Sequence, residues 1–145
     1  MRLKIPMREF QNKTYWIVGA SEGLGRALAI QLAKVGTKVI ISARSEERLI
    51  GLSEEIGSNT MVLPMDVSDR SSVQKAFSKL PKSLDGFIFV SGVYWHMSAS
   101  SWDEIKAEEM VDVNLVGAMR CLAHLVPKFI NQGFGHIVLT GSIAG

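Results

Sequence analysis

The stretch TYWIVGASEGLGRAL, residues 14–28, decides the fold of this chain. Its first five residues favour a strand, and glycines at positions 19, 23 and 25 then lead into apolar residues at helical spacing. Gly19 opens the turn, Gly23 lets backbone N–H groups approach an anion, and Gly25 lets the new helix lie close to its strand. A strand, a glycine turn and a helix in this order predict a cradle for a pyrophosphate. The predicted cradle comprises Gly19, Ser21, Glu22, Gly23, Leu24 and Gly25.

Segments typical of strands and of helices alternate along the rest of the chain. We predict further strands at residues 38–42, 60–63, 86–90 and 135–140, with a helix before each of them. Short loops between alternating strands and helices indicate an α/β fold with a doubly wound parallel sheet, in the strand order 3-2-1-4-5. In such a sheet a ligand lies beyond the carboxyl ends of the strands. We therefore expect the other strand ends beside the glycine loop, namely Ala43, Arg44, Ser91, Gly92 and residues 140–145.

Two of the predicted helices have informative apolar patterns. Leu24, Leu28, Leu32 and Val35 recur at helical spacing, which predicts that they form the buried face of the first helix. The last helix, at about residues 104–131, has an apolar arc wider than one sheet face requires. We therefore expect it to pack on the sheet and also on a partner helix, which favours a homo-oligomer through this helix.

The composition is typical of one globular domain, with 145 residues, 47% hydrophobic and 21% charged. Residues 1–13 are predicted to form an N-terminal arm, and residues 14–145 the domain itself. A net charge of +2 argues against a nucleic-acid partner, and we expect no membrane segment because no apolar run approaches about 20 residues. The one cysteine, Cys121, suits a buried inert thiol in a reducing compartment, so we expect a cytoplasmic protein. The three histidines lack metal-ligand spacing, and no metal site is predicted.

The end of the second predicted strand bears on the choice of dinucleotide. A carboxylate there would bind the ribose hydroxyls of NAD, but this chain has Ser42, Ala43 and Arg44 instead. Arg44 can meet a 2′-phosphate with a bidentate, charge-assisted contact. The alternative is an arginine on the solvated start of a helix. The missing acid and the present base together favour NADP(H) over NAD(H).

Four more residues are candidates for the same site. Asp66 and Val67 follow the third strand, where the aspartate either contacts an adenine ring or caps the next helix together with Ser68, with neither alternative favoured. Asn114 lies inside the long helix, where asparagine is unfavourable and needs partners if buried, so a site role is favoured. Ser142 follows the fifth strand and is placed to hydrogen-bond a substrate carbonyl.

These pieces, in this order, resemble the classical short-chain dehydrogenase/reductase family over residues 14–145. The loop GASEGLG (19–25) matches the family's glycine motif, and DVNLVG (112–117) its catalytic-asparagine segment. GHIVLTGSIAG (135–145) is similar to the strand and turn that carry the catalytic serine. The resemblance implies a Rossmann-type fold, places Arg44 at the basic position of NADP-preferring members, and assigns Asp66 and Val67 to the adenine pocket.

The activity implied by this resemblance is hydride transfer between NADP(H) and a carbonyl or alcohol on a small-molecule substrate. In the family a tyrosine exchanges the proton, with its pKa lowered by a lysine and by the nicotinamide charge. A serine holds the carbonyl oxygen and an asparagine anchors a water in the proton relay. The last two roles fall to Ser142 and Asn114 as candidate catalytic residues.

This chain departs from the family pattern at three places. Val18 replaces the usual threonine before the first glycine, and FVSG (89–92) stands where the family has Asn-Asn-Ala-Gly. Both changes place valines, Val18 and Val90, on neighbouring strands, where we expect them to compensate each other. The third departure is larger, because neither tyrosine, Tyr15 or Tyr94, has a lysine four positions later, so the family's Tyr-x-x-x-Lys motif is missing.

Without that motif, we expect residues 1–145 to be the N-terminal portion of such an enzyme, lacking the C-terminal part of the fold and inactive alone. The alternative hypothesis is a non-catalytic module that binds or senses NADP(H).

Overall fold

The computed structural model describes residues 8–142 and shows five parallel strands in one sheet. The strand order is β3-β2-β1-β4-β5, which confirms the predicted doubly wound α/β architecture. The strands are β1 Thr14–Val18, β2 Lys38–Ser42, β3 Thr60–Val62, β4 Gly86–Phe89 and β5 Ile137–Leu139.

Helices connect the strands and pack on both faces of the sheet. They are α1 Gly23–Lys34, α2 Glu46–Ile56, α3 Arg70–Ser78, α4 Glu104–Val111 and α5 Gly117–Gln132, with a short 3-10 turn at Ala99–Ser101 before α4. Local signals set the helix ends: the Ser45 hydroxyl caps α2, and Gly57 and Gly133 follow α2 and α5 with positive φ.

The core has two halves because alternate side chains of β1 lie on opposite faces of the sheet. Trp16 and Val18 pack with apolar residues of α3 and α5, whereas Tyr15 and Ile17 pack with apolar residues of α1 and α2. The indole Nε1 of Trp16 donates a hydrogen bond to Ser42 Oγ at 2.8 Å. That bond joins two fully buried polar groups, so neither is left unpaired inside the protein.

The same alternation shows that Val18 and Val90 do not compensate each other, contrary to expectation. Val18 belongs to the cluster of Trp16, and Val90 packs against the cluster of Tyr15 on the opposite face. A Cβ atom on Gly25 would lie 2.7 Å from Cγ2 of Val90, so this valine fills space beside the start of α1.

The buried face of α1 agrees with the predicted one only in part. Leu32 is buried and Leu28 packs against the core, as predicted, but Leu24 and Val35 are 59% and 53% exposed. Gly25 and Ala29 complete the buried face. A Cβ atom on Gly25 would lie only 2.0 Å from the carbonyl oxygen of Gly19. This close approach of helix and turn sets the rotation of α1, so that Leu24 at the start of the helix lies outward.

α4 and α5 form one continuous helix, Glu104–Gln132, with a π turn at Asp112–Val116. At this turn the N–H of Gly117 donates to the carbonyl of Asp112, five residues earlier. By length and composition alone this helix is apolar enough to cross a membrane, with mean hydropathy 1.2 over its most apolar 18 residues. Its inner face, however, is part of the domain core, with these residues buried: Val113, Gly117, Ala118, Cys121, Leu125 and Phe129.

The residues just before β1 are attached to the domain. The Phe10 ring packs against Tyr15 with 5.4 Å between ring centroids, and the Phe10 carbonyl accepts a hydrogen bond from the Thr37 hydroxyl. The N–H of Asn12 donates to the carbonyl of Gly36 at 3.0 Å. Phe10 and Asn12, which fall in the predicted N-terminal arm, thus contact the domain, and residues 1–7 lie outside the described part of the chain.

Candidate functional site

A cleft of about 320 Å³ lies beyond the carboxyl ends of the first four strands. The loops after these strands and the first turn of α1 line it. The structure brings together in this cleft all of the residues predicted to bind the cofactor: Gly19, Ser21, Glu22, Gly23, Leu24, Gly25, Arg44, Asp66, Val67, Ser91 and Gly92.

The glycine loop has the backbone shape that a phosphate cradle needs. Gly19 has φ +96°, and a Cβ atom there would lie 2.5 Å from the backbone nitrogen of Ser91. Gly23 has φ +53°, and a Cβ atom there would meet nothing within 4 Å. The loop is therefore packed tightly against the loop after β4 at Gly19, and it stays open at Gly23. The open position is where a group bound in the cleft can approach the backbone.

The N-terminus of α1 is free to bind an anion. Glu22 is the N-cap residue, and its side chain makes no capping hydrogen bond. The first N–H groups of a helix have no partner within the helix, and the helix dipole adds partial positive charge at this end. Because the side chain of Glu22 leaves these donors open, a pyrophosphate fits this helix start by its chemistry as well as by its space.

The loop after β2 places positive charge at the edge of the cleft. Arg44 is exposed, and among residues 8–142 it takes part in no ion pair. Arg48, the third residue of α2, also lines the cleft, and its Nη1 lies 2.7 Å from Oε2 of Glu22. Arg48 was not among the residues predicted from the sequence. Its position in the first turn of α2 was the available signal, because helix side chains lean toward the N-terminus.

Beyond β3, the structure places Asp66 in a turn rather than at a helix cap. Asp66 Oδ1 accepts hydrogen bonds from the N–H and the hydroxyl of Ser68, at 2.9 and 2.6 Å. The cap of α3 is Asp69, whose carboxylate accepts from the N–H of Ser71 at 2.8 Å. Of the two alternatives for Asp66, capping by Asp66 and Ser68 is thus wrong, and adenine contact remains a prediction.

The part of the cleft lining that contains Val67 packs against α5. A Cβ atom on Gly117 would lie 2.9 Å from Cγ2 of Val67, so glycine permits this close packing. Arg120 donates from Nη1 to the Val67 carbonyl at 3.0 Å and from Nη2 to Asp112 Oδ1 at 2.7 Å. The hydrogen bond from Arg120 holds the pKa of the Asp112 carboxyl below its usual value. Arg120 therefore links the backbone of Val67, in the cleft lining, to Asp112 in the π turn.

The two predicted catalytic residues do not line the cleft. Asn114 lies in the π turn, and its neighbour Val113 is the residue that reaches the cleft. Ser142 is exposed beyond β5, and residues 140–142 are also not part of the lining, so the expectation that the end of β5 joins this cleft is not met for them. The rest of that segment, residues 143–145, lies outside the described residues.

Neither metal nor thiol chemistry has support in the described residues. Within residues 8–142 no group of three or more His, Cys, Asp or Glu side chains is arranged to hold a metal ion. Cys121 is buried, as predicted, and burial raises the pKa of its thiol to about 12. The thiol stays protonated near neutral pH and is not a nucleophile.

Known proteins are similar to this chain in sequence and in fold. The family model described as short chain dehydrogenase matches residues 13–145. An uncharacterized oxidoreductase of Listeria monocytogenes is 33% identical over 142 residues, covering 93% of this chain and 57% of that protein. The NADPH-dependent pterin aldehyde reductase of Arabidopsis thaliana is 35% identical over 137 residues, covering 87% of this chain and 54% of the reductase.

A solved structure is also similar to this chain in its fold. The closed form of serine dehydrogenase complexed with NADP+ matches with a TM-score of 0.86 at 28% identity, covering 91% of this chain and 55% of that one. This chain thus spans a little more than half the length of the relatives it matches. The family match over residues 13–145 shows that the chain belongs to the short-chain dehydrogenase/reductase family, whose members are NAD(P)-dependent oxidoreductases.

Proposed function

We propose that this chain is the cofactor-binding part of an oxidoreductase that transfers a hydride between NADP(H) and a carbonyl or alcohol on a small molecule. The observation that carries the proposal is the cleft itself. Four strand ends contribute to it, around a helix N-terminus that no side chain caps. The glycine loop and this helix start would hold the pyrophosphate, and Asp66 and Val67 would border the adenine ring.

The preference for NADP(H) over NAD(H) rests on the loop after β2. Ser42, Ala43 and Arg44 supply no carboxylate for ribose hydroxyls, and Arg44 is exposed at the cleft without an ion-pair partner in the described residues. A guanidinium in this position can pair with a 2′-phosphate. Two relatives support this choice by name, the NADPH-dependent pterin aldehyde reductase and the serine dehydrogenase complexed with NADP+.

The chemistry is divided between the cofactor and the chain. Bound NADP(H) would supply or accept the hydride. Ser142 is proposed to hydrogen-bond the substrate carbonyl oxygen, which stabilises the charge that develops there. Asn114 is proposed to belong to the proton relay, and its amide already fixes the loop after β4 through Val93.

Residues 1–145 contain two tyrosines, and neither is placed to exchange the proton. Tyr15 is buried near the amino end of β1, where its hydroxyl bonds to Nδ1 of His136 at 3.0 Å. Tyr94 is exposed in the loop after β4, and residue 98 is a serine rather than a lysine. We therefore propose that the 145-residue chain binds NADP(H) without reducing a carbonyl.

A titration of the 145-residue chain with NADPH and NADH, followed by cofactor fluorescence, tests this function. We expect saturable binding with NADPH preferred, and a loss of about tenfold in NADPH affinity for Arg44→Gln with NADH affinity unchanged. Absence of binding to either cofactor contradicts the proposal, and equal affinity for both removes the argument from Arg44.

The alternative is a module that binds or senses NADP(H) without catalysis, and the codons downstream of Gly145 in the natural gene distinguish it from the enzyme. An in-frame Tyr-x-x-x-Lys within the next few dozen codons supports the enzyme. A stop codon directly after Gly145 favours the binding module.

We also propose that a second copy of the chain packs on the outer face of the helix Glu104–Gln132. Five large apolar side chains on this face are between 41% and 72% exposed: Val111, Leu115, Met119, Val126 and Ile130. A two-fold axis beside this helix would let the same apolar face of both copies cover each other.

A further inference from the structure

Two ion pairs bridge the start of α1 and the helix α2. Arg26 of α1 pairs with Glu55 of α2, and neither residue lines the cleft, whereas Arg48 of α2 pairs with Glu22 and both line it. The second pair spans the gap between the glycine loop and the loop that carries Arg44. Because both residues line the cleft, a group bound between those two loops would lie beside this pair.

The Glu22–Arg48 pair is easily opened. Its side chains are 76% and 60% exposed, and exposed ion pairs contribute little to stability because water and salt screen them. The backbone N–H of Arg48 donates to the Ser45 hydroxyl at 3.4 Å, and Glu22 is the ion-pair partner of its side chain. Its guanidinium is free to exchange one oxyanion partner for a stronger one.

We propose that Arg48 is a second ligand for the 2′-phosphate of NADP(H), beside Arg44, and that Glu22 competes with this phosphate for Arg48. The inference rests on the proposed function, because it needs the dinucleotide in the cleft. A phosphate monoester carries about two negative charges near neutral pH and offers three acceptor oxygens, whereas Glu22 carries one charge. The phosphate therefore takes Arg48 from Glu22, at a cost in affinity.

The charges around the phosphate position explain how Glu22 sets selectivity. Arg44, Arg48 and Glu22 together carry a net charge of +1 at neutral pH, and removal of the carboxylate raises it to +2. A dinucleotide without the 2′-phosphate does not use either arginine in this way. Glu22 thus lowers the affinity for NADP(H) more than the affinity for NAD(H), which narrows the preference for NADP(H).

Calorimetric titrations of the 145-residue chain with NADP+ and NAD+ test this assignment through binding alone. We expect Arg48→Gln to weaken NADP+ binding about tenfold with NAD+ affinity within twofold, and Glu22→Gln to strengthen NADP+ binding about threefold with a smaller gain for NAD+. In the double variant, which carries both substitutions, the loss of Glu22 should bring no gain in NADP+ affinity. Arg48, for which Glu22 and the phosphate compete, is then absent. Arg26→Gln is the matched control, since it breaks the other exposed pair between α1 and α2 outside the cleft.

Each outcome bears on the assignment. NADP+ binding by the wild type with no change in Arg48→Gln overturns the role of Arg48, while the proposed function stands. Weaker NADP+ binding in Glu22→Gln overturns the proposed competition between Glu22 and the phosphate for Arg48. The carboxylate would then be orienting Arg48 toward the phosphate. An equal loss for NADP+ and NAD+ in Arg48→Gln, or a similar loss in Arg26→Gln, shows a structural effect and overturns the assignment. Failure of the wild type to bind either dinucleotide overturns the proposed function together with this inference.

Discussion

Asn114 pairs through its side-chain amide with both backbone groups of Val93. Oδ1 accepts from the Val93 N–H at 2.7 Å, and Nδ2 donates to the Val93 carbonyl at 2.8 Å. The amide thus behaves like the edge of another strand, and it fixes the loop after β4 to the π turn. A Cβ atom on neighbouring Gly92 would lie 3.3 Å from Oδ1 of Asn114, so the fit leaves little room.

Replacement of Asn114 by alanine is expected to loosen this loop. Both hydrogen bonds to Val93 are lost, and we expect a stability loss of about 1 kcal/mol in urea unfolding together with weaker NADP+ binding. Asn131→Ala, at an exposed asparagine on the same helix, is the control and should change neither quantity. Unchanged NADP+ affinity in Asn114→Ala would show that the Val93 loop does not shape the cleft.

Two glycines in helices are expected to respond oppositely to alanine. In Gly25→Ala the new Cβ would lie 2.0 Å from the Gly19 carbonyl oxygen, so we expect a loss of about 3 kcal/mol or more. In Gly51→Ala, inside α2, the Cβ meets nothing within 4 Å, and higher helix propensity should stabilise by about 0.5–1 kcal/mol. Urea unfolding of both variants measures the contrast, and equal effects would contradict the close approach at Gly25.

Cys121 should resist thiol reagents in the folded protein. Its pKa of about 12 leaves about one thiol in ten thousand ionised at pH 8, and the side chain is buried. Reaction with a colorimetric disulfide reagent should be slow in buffer and complete within minutes in concentrated urea. Rapid labelling in buffer would mean that α5 separates readily from the sheet.

His136 should make stability depend on pH near neutrality. Burial, together with the charge of Arg8, lowers the pKa of His136 in the folded chain below its usual value of 6.5. The unfolded chain then binds more protons in the window just below pH 6.5, so stability falls as the pH falls through that window. Urea unfolding at pH 7.5 and 5.5 should show a smaller fall for His136→Gln than for wild type. His96→Gln, at an exposed histidine, should retain the full dependence.

If a second copy packs on the outer face of the helix Glu104–Gln132, a charge introduced on that face should dissociate the dimer. Met119→Glu should convert a dimer to a monomer by light scattering after size exclusion, because Met119 is 58% exposed and would be buried between copies. Ile50→Glu, at an exposed isoleucine on α2, should leave the mass unchanged. A monomeric wild-type chain at high micromolar concentration would contradict the interface.

The strand order and the cleft were predictable from the sequence because both follow from local signals repeated along the chain. Alternating strands and helices leave few topologies, and the topology brings Gly19, Arg44 and Gly92 to one edge. The exposure of Leu24 at the start of α1 was not predictable from the apolar pattern, because it follows from the close contact between Gly25 and Gly19. Arg48 was missed because its role depends on a side chain from a separate element, Glu22.

The π turn takes up one residue more than a regular α-helix needs between two core positions of the helix Glu104–Gln132. Val113 and Ala118 both belong to the core, although five residues at about 100° each would place them about 140° apart on a regular α-helix. The π turn lets both face the sheet. Deletion of one residue between them would leave the two core residues four positions apart, which is about 40° on a regular α-helix, so both would still face the sheet. We therefore expect the core to tolerate a one-residue deletion at the π turn, and we expect the main effect to fall on the contact of Asn114 with Val93.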